Sequence, residues 1–313
     1  MSAPRDKMGG RTRTQPIERA LVIVNPGSRR GRSSLDVALR ELSRLRVSCD
    51  AVITRDRGHA GELAAAGAVA YDAIFALGGD GTAIEVIDAL TPTSPAVGVL
   101  PGGTGNLLAR ALGIPLNVGR AVRALVAGDE IRVDLGRLGD GARFVVGAGV
   151  GIDASMIAST PIGWKRRAGV LAYVATGTSH VVRRRRFVAR VTVDGTTIVR
   201  QASTVLIANF GVLLNGLVAL GEGIQPDDGQ LDVCIFDPAT LVDAVRVAGK
   251  LVFREFSPDP AITYIRGRHI TVETDPPGAF QADGELRGKT PFVAAIDPLA
   301  ARLLVPHCQT SRH

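Results

Sequence analysis

Aromatic residues make up only 4% of this 313-residue chain, with a single Trp and three Tyr, so its cores must be assembled from Val, Leu, Ile and Ala. Cysteine is scarce as well. Cys49, Cys234 and Cys308 are odd in number, far apart and form no CxxC pair, which argues against a disulfide framework or structural zinc and for a reducing, cytoplasmic compartment. The five histidines show no HxxxH spacing. No Walker A pattern occurs, which excludes a P-loop mechanism. Residues 1–16 lack the apolar stretch of a secretory signal and read as a disordered basic tail. Only Gln201 to Gly221 runs uncharged for about the length of a membrane-spanning helix. It carries Ser203, Thr204, Asn209, Asn215 and several glycines, so it reads instead as a buried strand, Thr204 to Ala208, entering a Gly/Asn loop.

What the chain does have is glycine, 37 of them, and two glycine-rich turns stand out. Leu77 to Thr82 reads Leu-Gly-Gly-Asp-Gly-Thr, and Leu100 to Leu107 reads Leu-Pro-Gly-Gly-Thr-Gly-Asn-Leu. Each follows an apolar run (Ala73 to Leu77, Ala96 to Leu100) and opens a helical stretch. Such strand–turn–helix joints offer backbone N–H groups and the positive end of a helix to an anion. Glycine lets the main chain come close to a phosphate. Two joints in tandem suggest a nucleotide phosphate chain. A carboxylate at Asp80 repels bare phosphate, so it is expected to face Mg²⁺ or nucleotide hydroxyls.

Strands and helices alternate through the first half. Ala20 to Val24 is a buried strand ended by Asn25-Pro26, Leu35, Leu39, Leu42 and Leu45 fall at helical spacing, and Asp50 to Ile53 is the next strand. Helices follow at Gly61 to Ala70, Thr82 to Leu90, Asn106 to Leu112 and Val118 to Ala127. Repeated units of this kind predict a Rossmann-like parallel sheet, with ligands at the carboxyl ends of its strands. From Ile131 onward the pattern becomes β-rich: Ile131 to Leu138, Phe144 to Val150, Phe187 to Val193, Thr196 to Arg200, Leu231 to Phe236, Ile262 to Ile265, His269 to Glu273 and Phe292 to Ile296. Gly139-Asp140-Gly141 and Asp194-Gly195 read as hairpin turns. Helical inserts are expected at Trp164 to Val182 and Ala239 to Phe253. The chain thus divides into an α/β nucleotide-binding domain (17–131), a β-rich antiparallel sandwich domain (132–297) and a C-terminal segment (298–313) able to pack back on the first.

The ordered motif set resembles the diacylglycerol kinase catalytic family, which includes bacterial lipid kinases and the sphingosine kinases, and is more distantly similar to NAD kinase. Asn25-Pro26-Gly27-Ser28, Gly78-Gly79-Asp80-Gly81-Thr82, Pro101 to Asn106 and Asp283-Gly284-Glu285 carry the likeness, with Pro226 to Asp232 resembling the family's acidic loop. The resemblance implies ATP and Mg²⁺ as cofactors and an active site in the interdomain cleft. It implies that Asn25, Pro26, Gly27, Ser28, Arg29 and Thr54 border the nucleotide. Gly78, Gly79, Asp80, Gly81, Thr82, Ala83 and Ile84 would wrap its phosphates, and Gly103, Thr104 and Asn106 would complete the pocket. Asp283 and Glu285 would take the proton from the acceptor hydroxyl, with Asp80 part of the catalytic set. Asp228, with main-chain oxygens at Gln225 and Gln230, would form a structural Mg²⁺ loop. One departure is Arg29, where the family usually has glycine.

Read without the resemblance, Asp283-Gly284-Glu285 is a hairpin turn between Phe280 and Phe292, and Asp227-Asp228-Gly229 suits a plain turn as well as a metal. Trp164 is open between core and interface; Tyr173 reads as core. The net charge of +7 is clustered at Arg29, Arg30 and Arg32, at Lys165 to Arg167, and at Arg183 to Arg186, a distribution suited to anionic membrane contact or to solvated surface. Few aromatics and no basic–aromatic platform argue against nucleic acid. The expectation is an ATP- and Mg²⁺-dependent lipid kinase acting on diacylglycerol or a related lipid, peripherally membrane-associated, with a homodimer left open. The rivals are another acceptor (a sphingoid base, a phosphatidylinositol-type polyol or NAD) and a non-enzymatic nucleotide-binding regulator.

Overall fold

A computed structural model describes residues 11–13, 15–27, 31–90, 92–151, 186–213 and 218–307. The expected helix at Trp164 to Val182, the clusters at Lys165 to Arg167 and Arg183 to Arg185, and Ser28, Arg29 and Arg30 lie outside these residues. The chain forms two units, residues 1–135 with 298–313 and residues 136–297.

The first unit runs β1 (Thr12–Arg13), β2 (Arg19–Val24), α1 (Gly31–Arg44), β3 (Ser48–Ile53), α2 (His59–Gly67), β4 (Ala73–Gly78), α3 (Asp80–Asp88), β5 (Ala96–Pro101), α4 (Leu107–Ala111), α5 (Val118–Val126) and the start of β6 (Asp129–Leu138). β2 pairs in parallel with β3 and β4, and β4 in parallel with β5. β4 and β5 are apolar throughout and wholly buried, as expected of parallel strands covered on both faces. Phe75, one of the few aromatics, lies opposite Gly98, where an added Cβ would come within 2.4 Å of its ring. Glycine there makes room for the ring. The helices contribute Ala38, Leu42, Val86, Ile87, Leu108, Val122 and Leu125 to the core.

The second unit continues with β7 (Arg143–Phe144), β8 (Gly147–Val150), β9 (Phe187–Val193), β10 (Thr196–Ala202), β11 (Thr204–Ala208), β12 (Val212–Leu213), β13 (Val218–Ala219), β14 (Leu231–Phe236), α6 (Leu241–Phe253), β15 (Ile262–Gly267), β16 (His269–Asp275), β17 (Ala279–Ala282), β18 (Glu285–Lys289) and β19 (Phe292–Val305). One antiparallel sheet follows β10-β9-β16-β19 and the other β15-β14-β11-β8-β17-β18. Apolar residues at alternate positions of β9 and β16 meet those of β11 and β14 in one core, joined by Phe280 and Phe292, whose rings stack with centroids 4.2 Å apart. The α/β plus β-sandwich class read from the sequence is what the structure shows.

Two stretches depart most from the sequence reading. The strand starting at Phe292 does not stop at Ile296 but runs to Val305. Pro298 reads as a break, yet Leu299 takes a positive φ of 48° and its N–H is caught by the buried Asp134 at 2.7 Å, so the strand bends and continues. Its far end pairs in parallel with β5 through Leu303 and Val97. The strands of the β17–β18 hairpin show no alternation in the sequence, because Pro276-Pro277-Gly278 and Asp283-Gly284 cut it into short pieces. The Gln201 to Gly221 stretch agrees with the sequence reading, since β11 spans Thr204–Ala208 as expected, and among the described residues no helix is long and apolar enough to cross a membrane.

α6 begins with a capping box, in which Thr240 Oγ1 accepts from Asp243 N at 3.1 Å and the Asp243 carboxylate accepts from Thr240 N at 3.0 Å. Arg246 and Lys250 tie it to Asp259, whose side chain is 2% exposed. The Arg246 guanidinium first, then the Ala261 N–H and Lys250, hold the Asp259 carboxyl at about 2. A carboxylate depressed in the folded state stabilises the fold above its unfolded value, and that contribution is lost as pH falls through the folded one. Asp259→Asn is therefore expected to lower stability at neutral pH by about 1–2 kcal/mol. The gap from wild type should close between about pH 4 and about pH 2 in denaturant titrations.

Candidate active site

The ends of β2, β4 and β5 are laced together by main-chain hydrogen bonds. Asn25 N donates to Leu77 O at 3.0 Å, while Gly102 N and Gly103 N both donate to Gly78 O, at 2.8 and 3.0 Å. This brings the two glycine turns into direct contact. A Cβ added to Gly103 would lie 2.6 Å from Gly79 Cα, and one added to Gly78 would lie 2.6 Å from Thr82 Oγ1. Gly78 and Gly103 leave no room for a side chain. The Thr82 hydroxyl accepts from Asn25 Nδ2 at 3.2 Å, and Asn25 Oδ1 accepts from Gly27 N at 2.9 Å, so the first motif is strapped to the second.

α3 starts at Asp80 and its first helical bond is Ala83 N to Gly79 O. The N–H groups of Asp80, Gly81 and Thr82 precede that bond and form the positive end of the helix. Asp80 Oδ1 accepts from Leu108 N at 3.0 Å, so this carboxylate caps α4 across the gap between the turns. Asn106, in the left-handed region with φ 48°, accepts from Gly103 N at 3.0 Å and donates to Gly103 O at 2.8 Å. Arg110 Nε donates to Gly105 O at 2.9 Å. Burial lowers the Arg110 guanidinium from its ordinary value, and nearby Asp80 pulls it back up.

These turns enclose a cavity of about 450 Å³ lined by Asn25, Gly27, Gly79, Gly81, Thr82, Gly103 and Thr104. The lining is main chain, amide and hydroxyl, with no carboxylate. Of the other expected nucleotide residues, Gly78, Asp80 and Asn106 build the frame behind the lining, Ala83 is buried on α3, and Ile84 is the next residue of that helix. Pro26 is exposed at the turn, and Thr54 is buried at the end of β3 with its N–H on Val24 O at 2.8 Å.

In the second unit, Asp283 and Gly284 form the β17–β18 turn with φ of 49° and 87°. The hairpin reading of this tripeptide therefore holds, and the turn still carries chemistry. Asp283 Oδ2 accepts from Val145 N at 2.7 Å, and Oδ1 accepts from Val146 N at 2.8 Å and Gly147 N at 3.0 Å. Three backbone donors clamp one carboxylate. Glu285, two residues on, opens β18 with Oε2 3.4 Å from Arg287. Asn209, fully buried, donates from Nδ2 to Val145 O at 2.8 Å and supports the clamped segment from behind. Asn209, Arg110 and Gln281, whose Oε1 accepts from Gly284 N, were not singled out by the sequence as site residues. The only signal was a lone polar residue, Asn209, directly after an apolar strand.

Among the expected metal-loop residues, Asp228 Oδ1 accepts from Gln230 N at 3.0 Å, a turn closed by its own side chain. Arg266 reaches Asp228 at 3.6 Å and Asp232 at 2.9 Å. Burial raises the Asp232 carboxyl and Arg266 draws it back. Gln225 lies upstream in the same loop, and among the described residues no group of three or more His, Cys, Asp or Glu is arranged to hold a metal. Arg186, counted in a basic cluster, is engaged by Asp237, with Nε 2.7 Å from Oδ1.

Comparison with known proteins gives a consistent picture. Residues 19–138 match the diacylglycerol kinase catalytic domain, and residues 145–305 match the YegS C-terminal NAD kinase beta sandwich-like domain. A diacylglycerol kinase of Bacillus subtilis is 30% identical over 285 residues, covering 88% of this chain and 92% of that protein. The uncharacterized protein sll0036 of Synechocystis sp. is 31% identical over 238 residues, and the match takes in 74% of this chain but only 54% of that protein's length. The crystal structure of a diacylglycerol kinase from Bacillus anthracis str. Sterne shares the fold, with a TM-score of 0.73 at 22% identity over 93% of this chain and 98% of that one.

The Gly79–Gly103 approach is main chain against main chain, so no rotamer change can relieve an added methyl. Gly103→Ala is expected to destabilise the protein by about 1–3 kcal/mol. Thermal melting of the variant against wild type measures this, and an unchanged midpoint would contradict the contact.

Proposed function

Because the chain belongs to the diacylglycerol kinase catalytic-domain family, we propose that it is an ATP- and Mg²⁺-dependent lipid kinase that phosphorylates a hydroxyl of diacylglycerol or a related lipid. The observation that carries the nucleotide half is the pair of glycine turns in mutual contact. They form a cradle in which a Cβ on Gly103 would collide with the main chain of the facing turn, lined by N–H groups at the start of α3. Polyphosphate fits this chemistry. Asp80 has one oxygen committed to Leu108 N, which leaves Oδ2 for a nucleotide-bound Mg²⁺. Such an ion, when bound, neutralises charge on the phosphates.

In the proposed transfer the lipid hydroxyl oxygen bonds to the γ-phosphorus as the bond from that phosphorus to the bridging oxygen breaks, releasing ADP. The hydroxyl proton passes to a carboxylate. Both oxygens of Asp283 already accept backbone N–H groups, so its part is to fix the turn, and Glu285 is the proton acceptor. At the Gln225 to Gln230 loop, Asp228 and main-chain oxygens would hold a structural Mg²⁺. The buried Oδ2 of Asp232, with no hydrogen-bond partner, fits an added cation there, although Arg266 already supplies one positive charge. The match of the second half to a NAD kinase-like sandwich keeps NAD as the second acceptor to test.

The test is transfer of radiolabelled γ-phosphate from ATP with Mg²⁺ to diacylglycerol, sphingosine, phosphatidylinositol and NAD. Label is expected in an organic-extractable product. Glu285→Gln is expected to lower kcat by about 10²–10⁴-fold while ATP still binds. Label found only in NADP would assign the other acceptor, and wild-type turnover by Glu285→Gln would remove that residue from the chemistry.

A further inference from the structure

α6 carries two apolar faces, and the core uses only one. Ala244 and Val247 are buried against a small cluster containing Leu206, Cys234, Phe236 and Ala261, with Leu251 packed on it. Arg246 and Lys250 form a charged stripe beside that face, bound to Asp243 and Asp259. On the remaining side, Leu241 is 55% exposed, Val242 74%, Val245 46% and Phe253 77%. Val242, Val245, Gly249 and Phe253 are spaced three, four and four residues apart, which places them on one line along the helix. Gly249 sits within that line, and a Cβ added there would meet nothing within 4 Å.

We propose that this stripe of α6 is the surface by which the protein lies on a lipid bilayer, with Val242, Val245 and Phe253 entering the boundary between headgroups and acyl chains. The extent of the patch favours this occupant. Four side chains on one convex helix fall short of the roughly 800 Å² per partner that a stable protein interface takes. An interfacial helix requires only a short apolar stripe with cations beside it. The charges next to the stripe are already paired within the protein, so local contact is driven by apolar insertion. The chain's net charge of +7 adds a longer-range attraction to anionic headgroups. The inference gives a lipid kinase its route to a membrane-resident substrate and in that respect rests on the proposed function, but the surface itself is read from α6 alone.

Sedimentation of the full-length protein with vesicles of phosphatidylcholine, with and without phosphatidylglycerol, tests the proposal. The double variant Val242→Asp, Phe253→Asp is expected to partition at least about tenfold less than wild type. Gly249→Leu, which lengthens the stripe without touching the core, is expected to partition more strongly. The double variant should keep the wild-type melting midpoint, Gly249→Leu should melt no lower than wild type because it removes a helix-interior glycine, and binding should persist in part at high salt. Unchanged partition of the double variant, complete release by salt, or a wild-type dimer that this variant dissociates would each overturn the proposal. On short-chain diacylglycerol dispersed in solution the double variant should turn over like wild type, while on vesicle-embedded substrate it should lag. If wild type phosphorylates no lipid in either form, the kinase reading fails, and the vesicle result for α6 still stands or falls by itself.

Discussion

The contact between Gly79 and Gly103 sets the geometry of the nucleotide cradle. β4 and β5 run in parallel register from Ala73 opposite Ala96 to Gly78 opposite Pro101, so their turns leave the sheet side by side. A side chain at Gly103 would collide with the main chain at Gly79 and hold the turns apart. With glycine in both, the main chains touch and Gly78 O can receive two N–H groups from the neighbouring turn. Asp80 then reaches Leu108 N and fixes where α4 begins. Glycine is costly in an ordered turn because it gives up the most backbone freedom. That cost is offset here by hydrogen bonds that no bulkier residue would allow to form.

The two carboxylates of the Asp-Gly-Glu turn illustrate how neighbouring residues of like chemistry diverge by environment. Asp283 takes a positive φ and turns its carboxylate onto three consecutive backbone donors, Val145 to Gly147. The carboxylate thus replaces strand partners that a tight turn cannot supply. Glu285 stands beyond the turn at the first position of β18, with its carboxylate 3.4 Å from Arg287. The same segment is held on its carbonyl side by Asn209, so donors and acceptors of the strand start are satisfied by two side chains far apart in sequence.

Much of this was legible from local pattern. The buried strands β2, β4 and β5 are apolar runs ended by turn residues, and the glycine turns declare themselves by composition. Less legible was anything decided by distant partners. Asn209 meets Val145 across 64 positions and Arg266 meets Asp232 across 34, distances over which no periodicity speaks. The continuation of β19 past Pro298 depends on Asp134, which lies 165 positions from Leu299. A run of arginines reads as free positive charge, yet Arg186 at the end of one run is engaged by Asp237, and only the fold reveals that.

The two units also build their candidate sites by different means. In the first, the cradle is mostly main chain, so its chemistry is fixed by where glycine permits the backbone to go, and side chains serve mainly to brace it. This suits phosphate, which is the same in every nucleoside triphosphate and asks only for donors in the right places. In the second, the proton acceptor of the proposed reaction is one side chain on a turn whose backbone is fixed by another. In the proposed reaction such a turn would activate a hydroxyl without specifying the molecule that carries it. Under that proposal acceptor identity resides in the shape and wetting of the surrounding sandwich. That is why motifs announce the reaction class of this chain clearly and its substrate only by kinship.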